Sequence, residues 1–145
     1  MKWYKKLYHK LDDKFYDWFR EKRNKKKIKK LINNDVTIIS SDCLGGVIYH
    51  DLKLKFLSPT INLYIVPNDF VKLCSNLEFY MNQDLIEEKN SDHIIGVLHD
   101  IKIHFLHYKD FNNAKKKWIE RKNRINYKNI CYILTLKDGF HVDVI

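Results

Sequence analysis

The positive charge of this chain is confined to one end, which divides the sequence into two parts of different character. Residues 1–30 carry 13 Lys and Arg against 4 Asp and Glu, whereas residues 31–145 carry 14 of each, so the whole net charge of +9 lies in the first fifth. A domain that reads nucleic acid usually spreads its charge over a folded face. The division predicts a basic extension, residues 1–34, ahead of a neutral domain, residues 35–145, which is large enough for one hydrophobic core.

The extension has the pattern of an amphipathic helix. Aromatic and aliphatic residues recur at spacings of three and four from Tyr4 to Phe19, and lysines fill most of the other positions. Such a helix is typical of a membrane interface, so we expect it to bind an anionic membrane surface or a membrane protein. Packing on the protein's own core and RNA binding are the alternatives, although no RNA-binding motif is present and nucleic acid is the least favoured partner. The expected membrane-surface residues are Trp3, Tyr4, Lys5, Lys6, Trp18 and Phe19.

Composition excludes several classes of protein. The longest uncharged run, residues 56–68, has 13 residues and two prolines, whereas a spanning helix needs about 20 apolar residues. The basic start lacks the apolar core of a secretory signal. Three scattered cysteines, Cys43, Cys74 and Cys131, favour neither a disulfide framework nor a structural zinc site. We therefore expect a cytoplasmic protein, peripheral on the inner face of the membrane.

From Asp35 onward, extended and helical patterns alternate. This alternation predicts one α/β or α+β domain, with a mixed β-sheet flanked by helices. Residues 83–92 are polar and predict a loop. The predicted strands are residues 36–40, 62–66, 94–98, 101–108 and 129–136, with a hairpin turn at residues 99–100, and the predicted helices are residues 68–80 and 112–124.

A cluster of small polar residues, a cysteine and two glycines follows the first predicted strand, where α/β proteins often bind ligands. Gly45 and Gly46 permit positive φ, and their amides could hold an anion or an oxyanion. Cys43 is a candidate nucleophile if a neighbour lowers its pKa; the alternative is an inert thiol in a loop. The spacing matches neither a phosphate-binding P-loop nor a dinucleotide fingerprint.

Two further groups carry candidate chemistry. On the strand of residues 101–108, His107 shares the core face and could act as general base for Cys43, or it could be a structural histidine. His104 points to the opposite face, and no third ligand has suitable spacing, so no metal site is predicted. Arg121 and Arg124 are three apart on a predicted helix and could bind a phosphate or carboxylate, or form solvated surface.

These residues, in this order, resemble a bacterial family of unknown function that is often labelled exopolysaccharide biosynthesis protein. The resemblance covers roughly residues 35–145; at the first motif the family more often has Asn and Trp where this chain has Asp42 and Leu44. Family members tend to continue past the Asp138-Gly139 turn, which implies that this domain is shortened at its C-terminus. The shared motifs are Ser40-Ser41-Asp42-Cys43-Leu44-Gly45-Gly46, Ser58-Pro59-Thr60, His104-Phe105-Leu106-His107-Tyr108-Lys109 and Trp118 with Arg121 and Arg124-Ile125-Asn126.

The resemblance implies a pathway, the assembly of exopolysaccharide or capsule, and leaves the reaction open. We expect a transferase that acts on a sugar or glycolipid intermediate at the cytoplasmic membrane face, with an acyl-CoA as a candidate donor. A non-enzymatic accessory protein of the same machinery is the alternative. In the transferase hypothesis Cys43 or Ser41 is the nucleophile and His107 the base, while the substrate contacts are Asp42, Gly45, Gly46, Ser58, Tyr108, Arg121 and Arg124.

Overall fold

The computed structural model describes residues 18, 20–30 and 34–136, and these residues form a single mixed α/β domain. The expected fold class is therefore confirmed. In chain order the elements of the domain are β1 (Thr37–Ser40), α1 (Leu44–Asp51), α2 (Pro67–Ser75), α3 (Leu77–Met81), β2 (Leu85–Glu87), β3 (Ile95–Leu98), β4 (Ile101–His104), α4 (Phe111–Lys122) and β5 (Ile130–Ile133).

Strand β1 pairs in parallel with β5, from the far end of the described chain. All four residues of β1 are buried, as the β-branched run predicts for a strand covered on both faces. Strand β5 has four residues, half of the length that the pattern predicts, and the exposed positions in and after it belong to Cys131, Tyr132 and Leu134. The parallel pairing brings the carboxyl ends of both strands to one edge.

The hairpin expected at residues 99–100 is present between β3 and β4, with Leu98 opposite Ile101 and His99 at positive φ. A third strand, β2, pairs with β3 inside the segment that was predicted to be a loop, so that prediction is wrong. Its three residues have one buried position, Leu85, which is too short an alternation to be recognised among polar neighbours.

The segment of residues 62–66 connects the two sheets, which explains why it reads as extended although it contains no named strand. Tyr64 forms an antiparallel bridge with His104, and the Ile65 N–H donates to the Ser41 carbonyl at 2.8 Å. The end of β1, this segment and the end of β4 therefore lie side by side.

Helices α2, α3 and α4 cover the core, and α2 and α3 replace the single helix that was predicted there. The backbone breaks between them at Asn76, whose φ of −148° is not helical. The predicted inner face is nevertheless confirmed, because Phe70, Leu73, Leu77 and Tyr80 are all buried. Helix α4 buries Ala114 and Trp118 against the same core.

Residues 20–28 of the basic extension are helical and contact the domain. Arg20 forms an ion pair with Asp51 at 2.8 Å, and Glu21 accepts a hydrogen bond from Lys53 at 3.3 Å. This part of the extension therefore packs on the end of α1. Of the expected membrane-surface residues, Trp18 is described and 51% exposed, with the Lys22 ammonium 4.8 Å from its ring centroid; Trp3, Tyr4, Lys5, Lys6 and Phe19 lie outside the described residues.

Candidate functional site

Helix α1 begins three residues after β1, so its first turn lies at the carboxyl end of that strand. Asp42 turns the chain: its Oδ1 accepts from the Leu44 N–H at 2.9 Å and from the Ser40 hydroxyl at 3.4 Å. Cys43 follows as the N-cap residue, where the chain enters the helix. The carboxylate thus has a local role, which is to hold the turn that presents the cysteine.

Gly45 and Gly46 are buried in α1, so neither position uses the positive φ that glycine permits. A Cβ at Gly45 would stand 2.9 Å from the Ser40 Cβ and 3.4 Å from the Ile38 Cγ2. Glycine is required at this position because α1 approaches β1 closely. Amides in the first turn of a helix have no intrahelical acceptor, so the expected role as anion donors stays a prediction.

Cys43 is partly exposed, and its Sγ lies 3.9 Å from the Leu63 carbonyl of the connecting segment. Tyr108 contacts the residue just ahead of the same segment, because its hydroxyl donates to the Ile61 carbonyl. Burial raises the pKa of the Tyr108 hydroxyl, the Arg121 guanidinium opposes that rise, and a thiolate at Cys43 would raise the pKa further. The thiol and the phenol therefore both contact residues 61–63, although 65 positions separate them in the sequence.

Tyr108 also fixes Arg121. Its hydroxyl donates to the Ile61 carbonyl at 2.8 Å and accepts from Arg121 Nη1 at 2.8 Å, so both of its hydrogen-bonding functions are used. The guanidinium carbon stands 5.5 Å from the centroid of the Phe56 ring. No carboxylate pairs with Arg121 among the described residues, so a half-buried cation with several N–H donors is held by Tyr108 and Phe56.

Arg124 does not join Arg121, which corrects the prediction that the two share one helical face. Helix α4 ends at Lys122, and Arg124 lies beyond it with Nη2 bonded to Glu120. The three-residue spacing places two side chains on one face only while the helix continues. Arg121 alone therefore belongs to the site.

His107 is exposed, which corrects its expected position on the core face of the strand. Strand β4 ends at His104, and the chain turns at Leu106 and His107 before Tyr108 points inward. In the described part of the chain we find no hydrogen bond or ion pair of the His107 ring. Its role as a base for Cys43 stays a prediction, while Tyr108 is the member of this motif that reaches the site.

Ser41 and Ser58 are buried and hold the backbone. The Ser41 Oγ accepts from the Thr135 N–H at 2.9 Å, which connects the end of β1 to the chain after β5. The Ser58 Oγ bonds the Thr60 hydroxyl, and Thr60 in turn accepts from the Ser40 N–H at 2.9 Å. Of the two candidate nucleophiles, the accessible one is therefore Cys43.

Phe56 and Ile61 belong to this site although the sequence analysis did not select them. Phe56 is in the irregular segment after α1, two residues before the Ser58-Pro59-Thr60 motif, and it packs edge-to-face on Tyr49. This proximity to a motif in the sequence is the signal by which Phe56 could have been found. Ile61 contributes a backbone carbonyl, which no side-chain pattern can reveal.

No group of three or more His, Cys, Asp or Glu side chains within residues 18, 20–30 and 34–136 is arranged to hold a metal ion. Over the same residues, no helix is both long enough and apolar enough to span a membrane.

Comparison with known proteins identifies the family. A domain of unknown function, DUF1919, matches residues 14–145. The chain belongs to this family. An uncharacterised protein of Haemophilus influenzae is 38% identical over 112 residues, which cover 77% of this chain and 54% of the relative. The chain thus spans about half the length of that relative. A family of unknown function with a bacterial member is confirmed, and the link to exopolysaccharide stays a prediction.

Proposed function

We propose that the protein is a transferase of bacterial exopolysaccharide biosynthesis that acts on a phosphate-bearing sugar or glycolipid intermediate. One observation carries the proposal: Cys43 and Tyr108, from distant parts of the chain, both contact residues 61–63 beside the carboxyl end of β1, and Tyr108 holds Arg121 there. Open α/β sheets commonly bind substrates at that end of their strands. The pathway comes from the family resemblance, and the chemistry comes from the three side chains.

Arg121 is suited to bind the phosphate. Tyr108 uses one of its N–H donors, and the described structure has no carboxylate on the others. Planar, doubled N–H donors fit phosphate oxygens, and a guanidinium keeps its charge at any physiological pH. Tyr108 and Phe56 both contact the guanidinium and hold it in place. Because the side chain is already ordered, binding a ligand costs less entropy.

Cys43 is suited to carry an acyl group. Its thiolate would attack the carbonyl of a thioester donor such as an acyl-CoA, forming an enzyme thioester as the donor thiol leaves with the proton. A sugar hydroxyl would then attack that thioester, and its proton would return to the Cys43 sulfur. The first-turn amides of α1 are near the thiol and could stabilise the oxyanion formed in each step, while His107 is the candidate base.

Alkylation titrated against pH tests the nucleophile, with mass spectrometry to read each cysteine. A position at a helix N-terminus favours thiolate, so we expect Cys43 to react faster below about pH 7 than the exposed Cys131. Cys74 serves as an inert reference, because burial raises its pKa to about 12. A Cys43 that reacts no faster than Cys131 at any pH would remove the covalent mechanism.

The anion contact is tested in the same assay. We expect Arg121→Gln to slow alkylation of Cys43 and to abolish protection of Cys43 by a sugar phosphate. The matched control is Arg124→Gln, because that side chain pairs with Glu120 outside the site. Equal behaviour of the two variants would rule out Arg121 as the phosphate-binding residue.

A non-enzymatic accessory role has its own support, namely the buried hydrogen bonds of the motif residues Ser40, Ser41, Ser58 and Thr60. They could be retained for the fold alone. In that case Cys43→Ala would leave glycan production unchanged in cells, whereas the transferase proposal expects its loss. Cys131→Ala is the control that should be silent under both proposals.

Membrane attachment through the extension is a further part of the proposal. Basic residues flank an exposed Trp18, and each Lys or Arg near an anionic surface adds about 1 kcal/mol of binding. We expect the full chain to sediment with anionic vesicles and not with zwitterionic ones, and Trp18→Ala to weaken this. Equal binding to both vesicle types, or to neither, would rule out attachment of the protein to the inner membrane face through its charged extension.

A further inference from the structure

A cavity of about 590 Å³ lies between the helical residues of the extension and the end of α1. Small-molecule sites commonly measure roughly 300–1,000 Å³. Its lining combines the rings of Tyr49 and Phe56 with polar side chains from both segments. Those that carry the argument are Arg20, Glu21, Asn24, Asp51, Lys53 and Phe56.

Asn24 contributes an uncharged amide to this lining. The residue is 6% exposed, and no hydrogen bond of its side-chain amide is found in the part of the chain that the structure describes. Because Asn24 lines the cavity, the donors and the acceptor of its amide are available to a ligand there. A ligand in the cavity would supply the missing partner.

The charges of the lining indicate which ligand. Its two permanent cations are both paired with carboxylates of the same lining, Arg20 with Asp51 and Lys53 with Glu21. An anionic ligand would have to break one of these pairs, so the cavity does not favour a phosphate. Arg121 is the contrast, since it lacks a carboxylate partner among the described residues.

We infer that the cavity binds a neutral, hydroxyl-rich ring compound, which is the chemistry of an uncharged sugar unit. The Asn24 amide both donates and accepts hydrogen bonds, and so does a hydroxyl group. The paired carboxylates can accept further hydroxyl hydrogens without losing their ion pairs, and the Phe56 ring offers an apolar face to the C–H side of a sugar ring.

The cavity adjoins the candidate active site through Phe56, whose ring also stacks with Arg121. If the proposed transferase function holds, the cavity is where the uncharged part of the sugar intermediate binds, with the phosphate on Arg121. That assignment rests on the proposed function, whereas sugar binding by the cavity does not.

The test is a titration of the full chain with glucose, galactose and N-acetylglucosamine, followed by amide chemical shifts in NMR. We expect saturable shifts in residues 20–24 and 49–56 with at least one neutral sugar. We expect Asn24→Ala to weaken binding about five- to tenfold, as losing one hydrogen bond of about 1 kcal/mol or slightly more implies. The fold should survive, since Ala is the better helix former.

Asn112→Ala is the matched control, because Asn112 is an exposed amide on α4, and it should bind as the wild type does. Phe56→Leu provides a second variant that keeps an apolar side chain and removes the ring, and it should also weaken binding. Absence of saturable binding by every neutral sugar, or unchanged affinity in Asn24→Ala, would overturn the inference.

Cys43→Ala separates this inference from the proposed function. It should bind the neutral sugar with wild-type affinity while transferring nothing. Loss of sugar binding in a chain whose Cys43 is still reactive would refute the cavity alone, and retained sugar binding with an unreactive Cys43 would refute the transferase alone.

Discussion

At the scale of single residues, the stability of β1 depends on a tyrosine that lies outside it. Tyr49 is fully buried in α1, and its hydroxyl accepts from the Ile38 N–H at 2.8 Å and donates to the Val36 carbonyl at 2.9 Å. Burial raises the pKa of this hydroxyl, so it stays protonated and able to donate well above neutral pH. One side chain thus satisfies two backbone groups of the strand that leads to the site.

We expect Tyr49→Phe to lower the free energy of unfolding by about 1–3 kcal/mol, because the Ile38 N–H loses its acceptor in a buried position. Urea denaturation measures the change. Tyr127→Phe is the control: that ring is half exposed, so the change should stay within about 0.5 kcal/mol. A loss in Tyr49→Phe no larger than in the control would mean that water or the backbone replaces the hydroxyl.

Some residues of the candidate site could be predicted from residue type alone, and the others could not for a physical reason. Cys43 and Arg121 could be selected because a thiol and a guanidinium carry chemistry wherever they lie. Tyr108 was selected through the family motif, while His107 was preferred as the reactive member because strict alternation along a longer strand predicts its inward position. The chain leaves the strand after His104, and this exchanges the two side chains between surface and interior.

At the scale of elements, the first turn of α1 requires its two glycines to different degrees. Gly45 faces β1, where a Cβ would stand 2.9 Å from the Ser40 Cβ, an atom that cannot move without the strand. A Cβ at Gly46 would stand 3.4 Å from the Ile61 Cγ2 and 3.5 Å from the Asn62 Oδ1. Both are side-chain atoms at ordinary contact distance. The contrast gives a matched pair of substitutions.

We expect Gly45→Ala to destabilise the protein by about 1–3 kcal/mol, because overpacking against β1 exceeds the gain in helix propensity. Gly46→Ala should be neutral or stabilising by up to about 1 kcal/mol, since the propensity gain remains. Thermal unfolding of both variants decides the order. If Gly45→Ala is at least as stable as Gly46→Ala, the close contact between α1 and β1 does not limit that position.

Helices and strands could be predicted from the sequence where one face of the element is apolar over several residues. Helix α4, strand β1 and the hairpin of β3 and β4 have such faces, and all were predicted. Strand β2 and the break at Asn76 were missed because their patterns extend over three residues or fewer. The approach of β5 to β1 is a pairing across more than 90 positions, which local periodicity does not encode.

At the scale of the whole molecule, a histidine pair lies where the antiparallel hairpin contacts the segment that connects the two sheets. His93 Nε2 and His104 Nδ1 are 2.8 Å apart with stacked rings, and His104 also bridges Tyr64 of the connecting segment. Burial lowers the pKa of His104, and His93 and Lys102 lower it further, against the opposing influence of Asp69 and Glu88. The hairpin therefore meets the connecting segment at a residue whose side chain resists protonation.

This arrangement predicts that stability falls in mild acid. The unfolded chain takes up a proton on His104 near its ordinary pKa of about 6.5, while the folded chain does so only at lower pH. The contribution of His104 is therefore complete above about pH 6.5 and is lost as the pH falls toward the depressed folded pKa. Urea midpoints measured between about pH 8 and about pH 5 should decrease in the wild type.

His104→Gln should flatten that decrease, since the variant has no proton to take up at this position, whereas the exposed His107→Gln should retain the wild-type slope. Glutamine can still bond His93 and occupy a similar volume, so the comparison concerns the slope with pH and not the absolute stability. Equal slopes in the three proteins would show that protonation of His104 is not coupled to unfolding. A flattened slope in His104→Gln alone would make the junction between the two sheets the acid-sensitive point of the fold.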